Sequence, residues 1–200
     1  MKRIFIISHS SEIEGPIDYY RKYLEKNNYS VSILEHPLND CTGRFTVFHS
    51  DGKTIKIKRS NGFGILNLFI DFFVSVRFAL KNHFDIFMGA NNFDTFVGIF
   101  LRRIFRKKIE KIIYFGSDFS EDRFSNILLN RIYYFIEAIC CKYSDLVISN
   151  TKRAEEKRFS FGLKKEKSIV VPNGVLFIFY NFFKFLFGGM GYFVGKIKKI

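Results

Sequence analysis

Apolar and polar positions along the chain alternate in blocks. RIFIIS, at 3–8, is a short apolar run; the polar stretch HSSEIEG follows, and PIDYYRKYLEKNN then repeats apolar residues at helical spacing, with Pro16 suited to a first helical turn. YSVSILEH is a second apolar run. Beyond residue 63 the rhythm continues: GILNLFIDFFVSVRFALKN predicts a helix, FDIFMG a strand, FDTFVGIFLRRIFRKK a helix and KIIYFG a strand. SNILLNRIYYFIEAICCKY, DLVIS, TKRAEEKRFS and KSIVVP complete it as helix, strand, helix and strand. Near-continuous apolar strands separated by helices belong to a parallel sheet covered on both faces. The expected fold is therefore α/β, a Rossmann-like doubly wound sheet of six parallel strands whose active loops lie at the strand C-termini.

One segment departs from this order. RFTVFHSDGKTIKIKR alternates apolar and polar residues on either side of Asp51-Gly52, which predicts an inserted β-hairpin with a tight turn. The helical segment at 64–80 is apolar enough to resemble a membrane span, but Asp71 and Arg77 interrupt it and it is short. Leu68, Phe69, Phe72, Phe73, Val76 and Leu80 recur at helical spacing, so the expectation is a helix packed on the sheet through those residues.

Composition narrows the picture. The 200 residues fit one domain with a proper core, and the formal charge of +13 favours an anionic partner such as nucleic acid, anionic lipid or sugar phosphate. Cys41, Cys140 and Cys141 give neither a disulfide framework nor zinc spacing, which points to a reducing cytosol. The N-terminal apolar run is too short for a signal peptide and reads as the first strand. No nucleophile elbow, H-E-x-x-H, Walker loop or metal-ligand cluster occurs, so hydrolase and metal-enzyme chemistry lack support.

Candidate chemistry gathers in the loops after the strands. SHSSEIEGP places His9, Ser10, Ser11 and Gly15 before a helix N-terminus, where backbone N–H groups favour an anion; it has one glycine where a dinucleotide fingerprint needs three. FMGANNFDTF offers Asn91, Asn92 and Asp94, which could bind sugar hydroxyls or cap the next helix. YFGSDFSEDRF ends a strand with Ser117 and Asp118 facing the cleft, and Ser120, with Glu121 and Asp122 behind it, makes an adequate helix start. The helix through FVGIFLRRIFRKKIEK carries Arg102, Arg103, Arg106, Lys107 and Lys108. These are expected to form either a solvated face or one drawn to anionic headgroups.

Taken together, KRIFIISH…GP, FDIFMGANNFDTFVG, KIIYFGSDFS…CCKYSDLVISNTKRAEEKR and SIVVPNGV resemble the N-terminal domain of family 4 glycosyltransferases of the GT-B fold, across residues 2–175. The resemblance implies that this domain holds a glycan or lipid-linked acceptor. A second domain, with the family's paired glutamates, would bind the nucleotide sugar, and no other cofactor is implied. The 8–15 loop matches the family's acceptor and phosphate loop, with His9, Ser10 and Gly15. Ser117 stands where many members carry a catalytic histidine, leaving Asp118 as the catalytic candidate; Asn91, Asn92 and Ser117 would contact substrate, and Asn173 and Gly174 would begin the interdomain linker. The implied function is hexosyl transfer in cell-surface polysaccharide synthesis, inactive without the donor domain. The implied location is cytoplasmic, or peripheral on the inner face of the cell membrane. The alternative is a non-catalytic module that binds an anionic membrane or nucleic acid, although no specific nucleic-acid site is expected.

At residue 176 the composition shifts. From there to the end stand seven Phe, four Lys and no acidic residue. Domain boundaries are therefore expected at 1–175 and 176–200. Lys184 would cost roughly 2.5–3.5 kcal/mol at the centre of a membrane span, against about 0.3–0.6 returned by each Phe or Leu. That leaves an interfacial anchor or an out-of-frame translation as the stronger explanations, and the second predicts a donor lobe encoded downstream in another frame.

Overall fold

The computed structural model describes residues 1–10, 16–37, 45–50, 52–58, 64–116, 119–121 and 123–172. In chain order these form β1 (Arg3–Ser10), α1 (Pro16–Lys26), β2 (Ser30–Pro37), β3 (Phe45–Ser50), β4 (Lys53–Lys58), α2 (Gly64–Lys81) and β5 (Ile86–Gly89). Then come α3 (Asn92–Arg103), β6 (Lys111–Gly116), α4 (Ile127–Tyr143), β7 (Leu146–Ser149), α5 (Lys152–Ser160), a 3-10 turn (Lys165–Lys167) and β8 (Ser168–Val170). One eight-stranded sheet runs β4-β3-β2-β1-β5-β6-β7-β8. The six strands from β2 to β8 in that row are parallel, as their unbroken apolar character predicts.

The hairpin is present and forms part of the sheet, because β3 pairs antiparallel with β2 and β4 closes the edge. Gly52 sits at φ +74 in the turn, a left-handed conformation that glycine adopts without strain. Exposed β4 carries Lys53, Lys56 and Lys58, charges that discourage further strand pairing at this edge.

From β1 the chain first steps outward to β2 and then returns to step the other way through β5, β6, β7 and β8. Right-handed crossovers then place helices on opposite faces of the two halves. Two clusters of buried side chains result. On one face Phe5, Phe87, Val97, Ile112, Tyr114 and Cys140 lie under α2, α3 and α4; on the other Ile4, Ile6, Ile113 and Ile148 join Tyr20 and Leu24 of α1. The reversal of strand order falls between β1 and β5, and so does the crevice where ligands of such sheets bind.

Two helices differ from the expected pattern. The basic helix expected to run past residue 103 ends there: Arg106 takes φ 52, and the Lys107 N–H bonds back to Leu101 O at 3.1 Å, a left-handed closure that turns the chain toward β6. Arg102, Arg103, Arg106, Lys107 and Lys108 therefore do not share a helical face. In α2 the expected apolar stripe is buried only in part. Val76 is buried and Phe72 packs against the core, but Phe69, Phe73 and Leu80 are exposed, while Asn67, Asp71, Ser75 and Ala79 are buried. The Asn67–Asp71–Ser75 series, spaced i, i+4, i+8, faces inward because buried polar partners wait there.

Gly98 packs α3 onto β5, since a Cβ at this position would stand 2.3 Å from Phe87 Cδ1. Gly98→Ala is expected to destabilise the fold by about 1–3 kcal/mol through overpacking. Urea denaturation with an unchanged slope would measure it.

Candidate functional site

β1 and β5 both end at the switch point, and side chains tie the two strand ends together. His9, near the end of β1, places Nδ1 2.9 Å from Asp94 Oδ1, in the first turn of α3. Its Nε2 lies 3.4 Å from Asp71 Oδ2 of α2, an ion-pair distance too long for a strong hydrogen bond. Asp71 Oδ1 is in turn 3.3 Å from His36 Nδ1, at the end of β2. His36 is fully enclosed: Nδ1 also meets Thr46 Oγ1 at 3.1 Å, and Nε2 meets Ser75 Oγ at 2.7 Å. The two imidazoles lie 5.0 Å apart between ring centres.

Charge in this cluster is divided unequally. Burial opposes protonation of His9, but the Asp94 and Asp71 carboxylates outweigh it and raise the ring to about 9. Burial would lift Asp71, yet the hydrogen bonds and charge of His36 and His9 bring it down to about 2. Burial, with Asp71 only partly compensating and His9 repelling, lowers His36. The resulting state is a His9 imidazolium beside a neutral His36, which offers Nδ1–H toward Asp71 and Thr46 and accepts at Nε2 from the Ser75 hydroxyl. With both ring nitrogens turned toward carboxylates, His9 serves as a charged strut from the end of β1 to α3 and α2 rather than as a free base.

Of the loop asparagines, Asn91 is the α3 cap. Its Oδ1 accepts from the Asp94 N–H at 2.9 Å and its Nδ2 donates to Asp94 Oδ2 at 2.7 Å. The adjacent Asn92 is buried, its carbonyl takes the Cys140 S–H, and its Nδ2 has no hydrogen-bond partner among the described residues. Gly89 is required where β5 meets this loop, because a Cβ would come within 2.3 Å of the Thr95 nitrogen.

A second buried network holds the next two strand ends. Arg158 of α5 donates from Nε to Glu137 Oε1 at 2.9 Å, and from Nη1 to Ser149 Oγ at 2.7 Å and Gly116 O at 3.2 Å. The Tyr114 hydroxyl donates to the same Glu137 carboxylate at 2.8 Å. Burial and the neighbouring Glu137 push the Tyr114 phenol well up, while for Arg158 burial is outweighed by Tyr114 and Glu137, which hold it charged. A Cβ on Gly116 would stand 2.2 Å from Arg158 Nη2, so this glycine lets the guanidinium pass beneath the strand end. Beyond it, a cleft of about 460 Å³ is lined by Phe119, Ser120, Glu121, Thr151, Arg153 and Lys157, at the N-terminus of α5.

The sequence candidates thus divide. His9 and Asn91 meet at the switch point through Asp94, whereas Asn92 is buried against Cys140 of α4. Ser10 ends β1. Gly15, Ser117, Asp118, Asn173 and Gly174 lie outside the described residues. The basic group is scattered: Arg102 pairs with Asp145 at 2.6 Å, and Lys107 donates to the Ala79 and Asn82 carbonyls, closing the end of α2. Arg103 stacks over Tyr143, while Arg106 and Lys108 are exposed. Asp71, His36, Glu137 and Arg158 escape the sequence pattern as site residues; the one local signal is a charge interrupting an apolar helix at Asp71 and Glu137.

No family model and no curated protein matches the sequence. Solved structures do. The chain is similar to the lipopolysaccharide outer core galactosyltransferase WaaB, with 18% identity and a TM-score of 0.59 over 86% of this chain and 46% of that one. It is also similar to sucrose-phosphate synthase from Thermosynechococcus elongatus (15%, 0.55, 86% and 48%). A third match is UDP-GlcNAc 2-epimerase from Methanocaldococcus jannaschii (14%, 0.54, 84% and 45%). The chain spans about half the length of the structures it matches. At these identities the likeness is one of fold, that of a Rossmann-like half of a GT-B architecture.

Two measurements follow from the buried groups. His9 gains protons on folding, so its contribution is complete below its ordinary value of 6.5 and is lost as pH rises through about 9. Asp71 gives the opposite limb, complete above 3.8 and lost as pH falls toward about 2. His36, held neutral by burial, adds to the acid limb, because stability is lost as pH falls below its ordinary 6.5; thermal midpoints are therefore expected to peak near pH 6.5, with His9→Gln flattening the alkaline limb. Glu137→Gln, which leaves Arg158 buried with no countercharge, is expected to cost about 3–5 kcal/mol in urea denaturation.

Proposed function

We propose that this chain is the acceptor-side lobe of a glycosyltransferase of the family 4 type. The observation that carries the reading is the switch point between β1 and β5, where His9, Asp94 and Asn91 tie the two strand ends together at the place where sheets of this kind bind ligands; the adjacent Asn92 keeps a buried Nδ2 with no partner among the described residues. The resemblance of residues 2–175 to the family and the likeness in fold to sugar-transferring enzymes support it. In this reading His9 positions the acceptor loop that contains Ser10 and Gly15. Asn92 contacts the acceptor, Asp118 is the catalytic candidate with Ser117 next to it in sequence, and Asn173 and Gly174 begin the linker to the donor lobe.

The acceptor is a glycan or lipid-linked saccharide destined for the cell surface, and the hexosyl group comes from a nucleotide sugar held by the second lobe. Transfer requires that positive charge developing on the sugar and the departing phosphate be stabilised together. Groups for the phosphate belong to that lobe, so residues 1–175 alone form half of an active site. The Phe-rich 176–200 segment lies outside this unit.

The purified 200-residue chain is therefore expected to give no product with UDP-, GDP- or dTDP-hexoses and polyprenyl-linked saccharide acceptors, assayed by release of nucleotide. Turnover by this chain alone would overturn the half-site reading. Fusion to the donor lobe of a family 4 glycosyltransferase should restore transfer, and Asn92→Ala in that fusion should raise the acceptor KM more than it lowers kcat.

A further inference from the structure

We propose that the outer face of the α2–α3–α4 layer docks on an anionic lipid bilayer. Charge is sorted by side in these helices. Each contains one acidic residue, Asp71, Asp94 and Glu137 respectively, and all three are buried at 1% exposure or less. Every exposed charge the three helices present is basic: Arg77 and Lys81 on α2, Arg103 on α3, Arg131 and Lys142 on α4. Arg106 and Lys108 add to this where α3 ends.

Between those charges the face is apolar. On α2, Leu66, Phe69, Phe73 and Leu80 fall on one stripe with Arg77, and Phe69 and Phe73 are 61% and 67% exposed. On α4, Ile127, Leu128, Ile132 and Phe135 are exposed. α3 packs between the two helices, and its end adds exposed Ile104 and Phe105, the latter in edge contact with Phe100. Large apolar side chains exposed in number on one layer, rather than singly, are the mark of an interaction surface.

The occupant is chosen by charge. A second copy of the same face would set arginines and lysines against one another, whereas anionic headgroups complement them and the Phe and Leu side chains can enter the acyl boundary. No described helix is long and apolar enough to cross a membrane, so the contact is a surface one. This arrangement differs from the basic helical face expected from the sequence: the apolar contribution comes from α2 and α4, and Arg102 and Lys107 are engaged within the fold. It does not depend on the transfer reading.

The test is co-sedimentation of the whole chain with vesicles of phosphatidylcholine alone and with phosphatidylglycerol added. Binding is expected to the mixed vesicles only. Phe69→Ser with Phe73→Ser is expected to lower the bound fraction at fixed lipid by about 10-fold or more, since each ring withdraws apolar area from the acyl boundary. Its thermal midpoint should hold, because both rings are exposed. Arg77→Gln with Lys108→Gln should weaken binding to mixed vesicles and reduce its sensitivity to salt. The 176–200 segment is unaltered in every variant, so a loss belongs to the helical face. Undiminished binding by the Phe69/Phe73 variant would overturn the proposal. So would self-association in sedimentation velocity that the same substitutions abolish, without vesicle binding, which would assign the face to a second copy.

Discussion

Three buried carboxylates set the geometry of the helical layer. Asp71 of α2 and Asp94 of α3 hold His9, and Glu137 of α4 holds Arg158, so each helix on that face is fixed in rotation by an inward acid with a cationic partner. Leaving one partner of such a pair uncompensated in the interior costs several kcal/mol. Turning α2 to bury Phe69 or Phe73 instead would return about 1.5–3 kcal/mol per side chain. That gain does not clearly exceed the penalty for stranding Asp71 and its two histidines, and the helix keeps its polar stripe inward.

These pairs also stand where they matter for ligands. His9 ends β1, Asp94 opens α3 after β5, and Arg158 reaches the ends of β6 and β7 through Gly116 O and Ser149 Oγ. Four neighbouring strand ends are thereby held by two charge networks. Strand ends tied in this way lose little freedom on meeting a ligand, and less of the binding free energy is spent on ordering them.

Most of the architecture was legible in the amino-acid sequence because strands buried on both faces and amphipathic helices carry their own periods. The hairpin was legible from alternation about Asp51-Gly52, and a helix cap was legible among Asn91, Asn92 and Asp94 without singling out Asn91, which fills it. The rotation of α2 was not. Its apolar residues form a fair helical stripe, and only partners 35 or more residues away, His36 and His9, make the opposite face the inner one. The end of α3 escaped for a related reason: Arg106 is an unusual residue in a left-handed closure, and it is the Lys107 ammonium on the α2 carbonyls that holds the turn. Pairings distant in sequence leave no local period to read. For the same reason His9 was visible as a candidate while Asp71, which defines its charge, was not.

The inward acids have a second effect on the outside of the molecule. A helix whose one carboxylate is used internally has only basic and apolar residues left to display, and this holds in α2, α3 and α4 alike. Had Asp71 or Glu137 faced outward, each would have repelled an anionic surface and broken the apolar stripe beside it. The ordering of the strand ends and the character of the outer face are thus two sides of the same helix rotation. Replacing His9 and His36 together would bear on both at once, because the Asp71 carboxylate would be stranded in the interior, and a rotation of α2 that returned it to water would carry Phe69 and Phe73 inward.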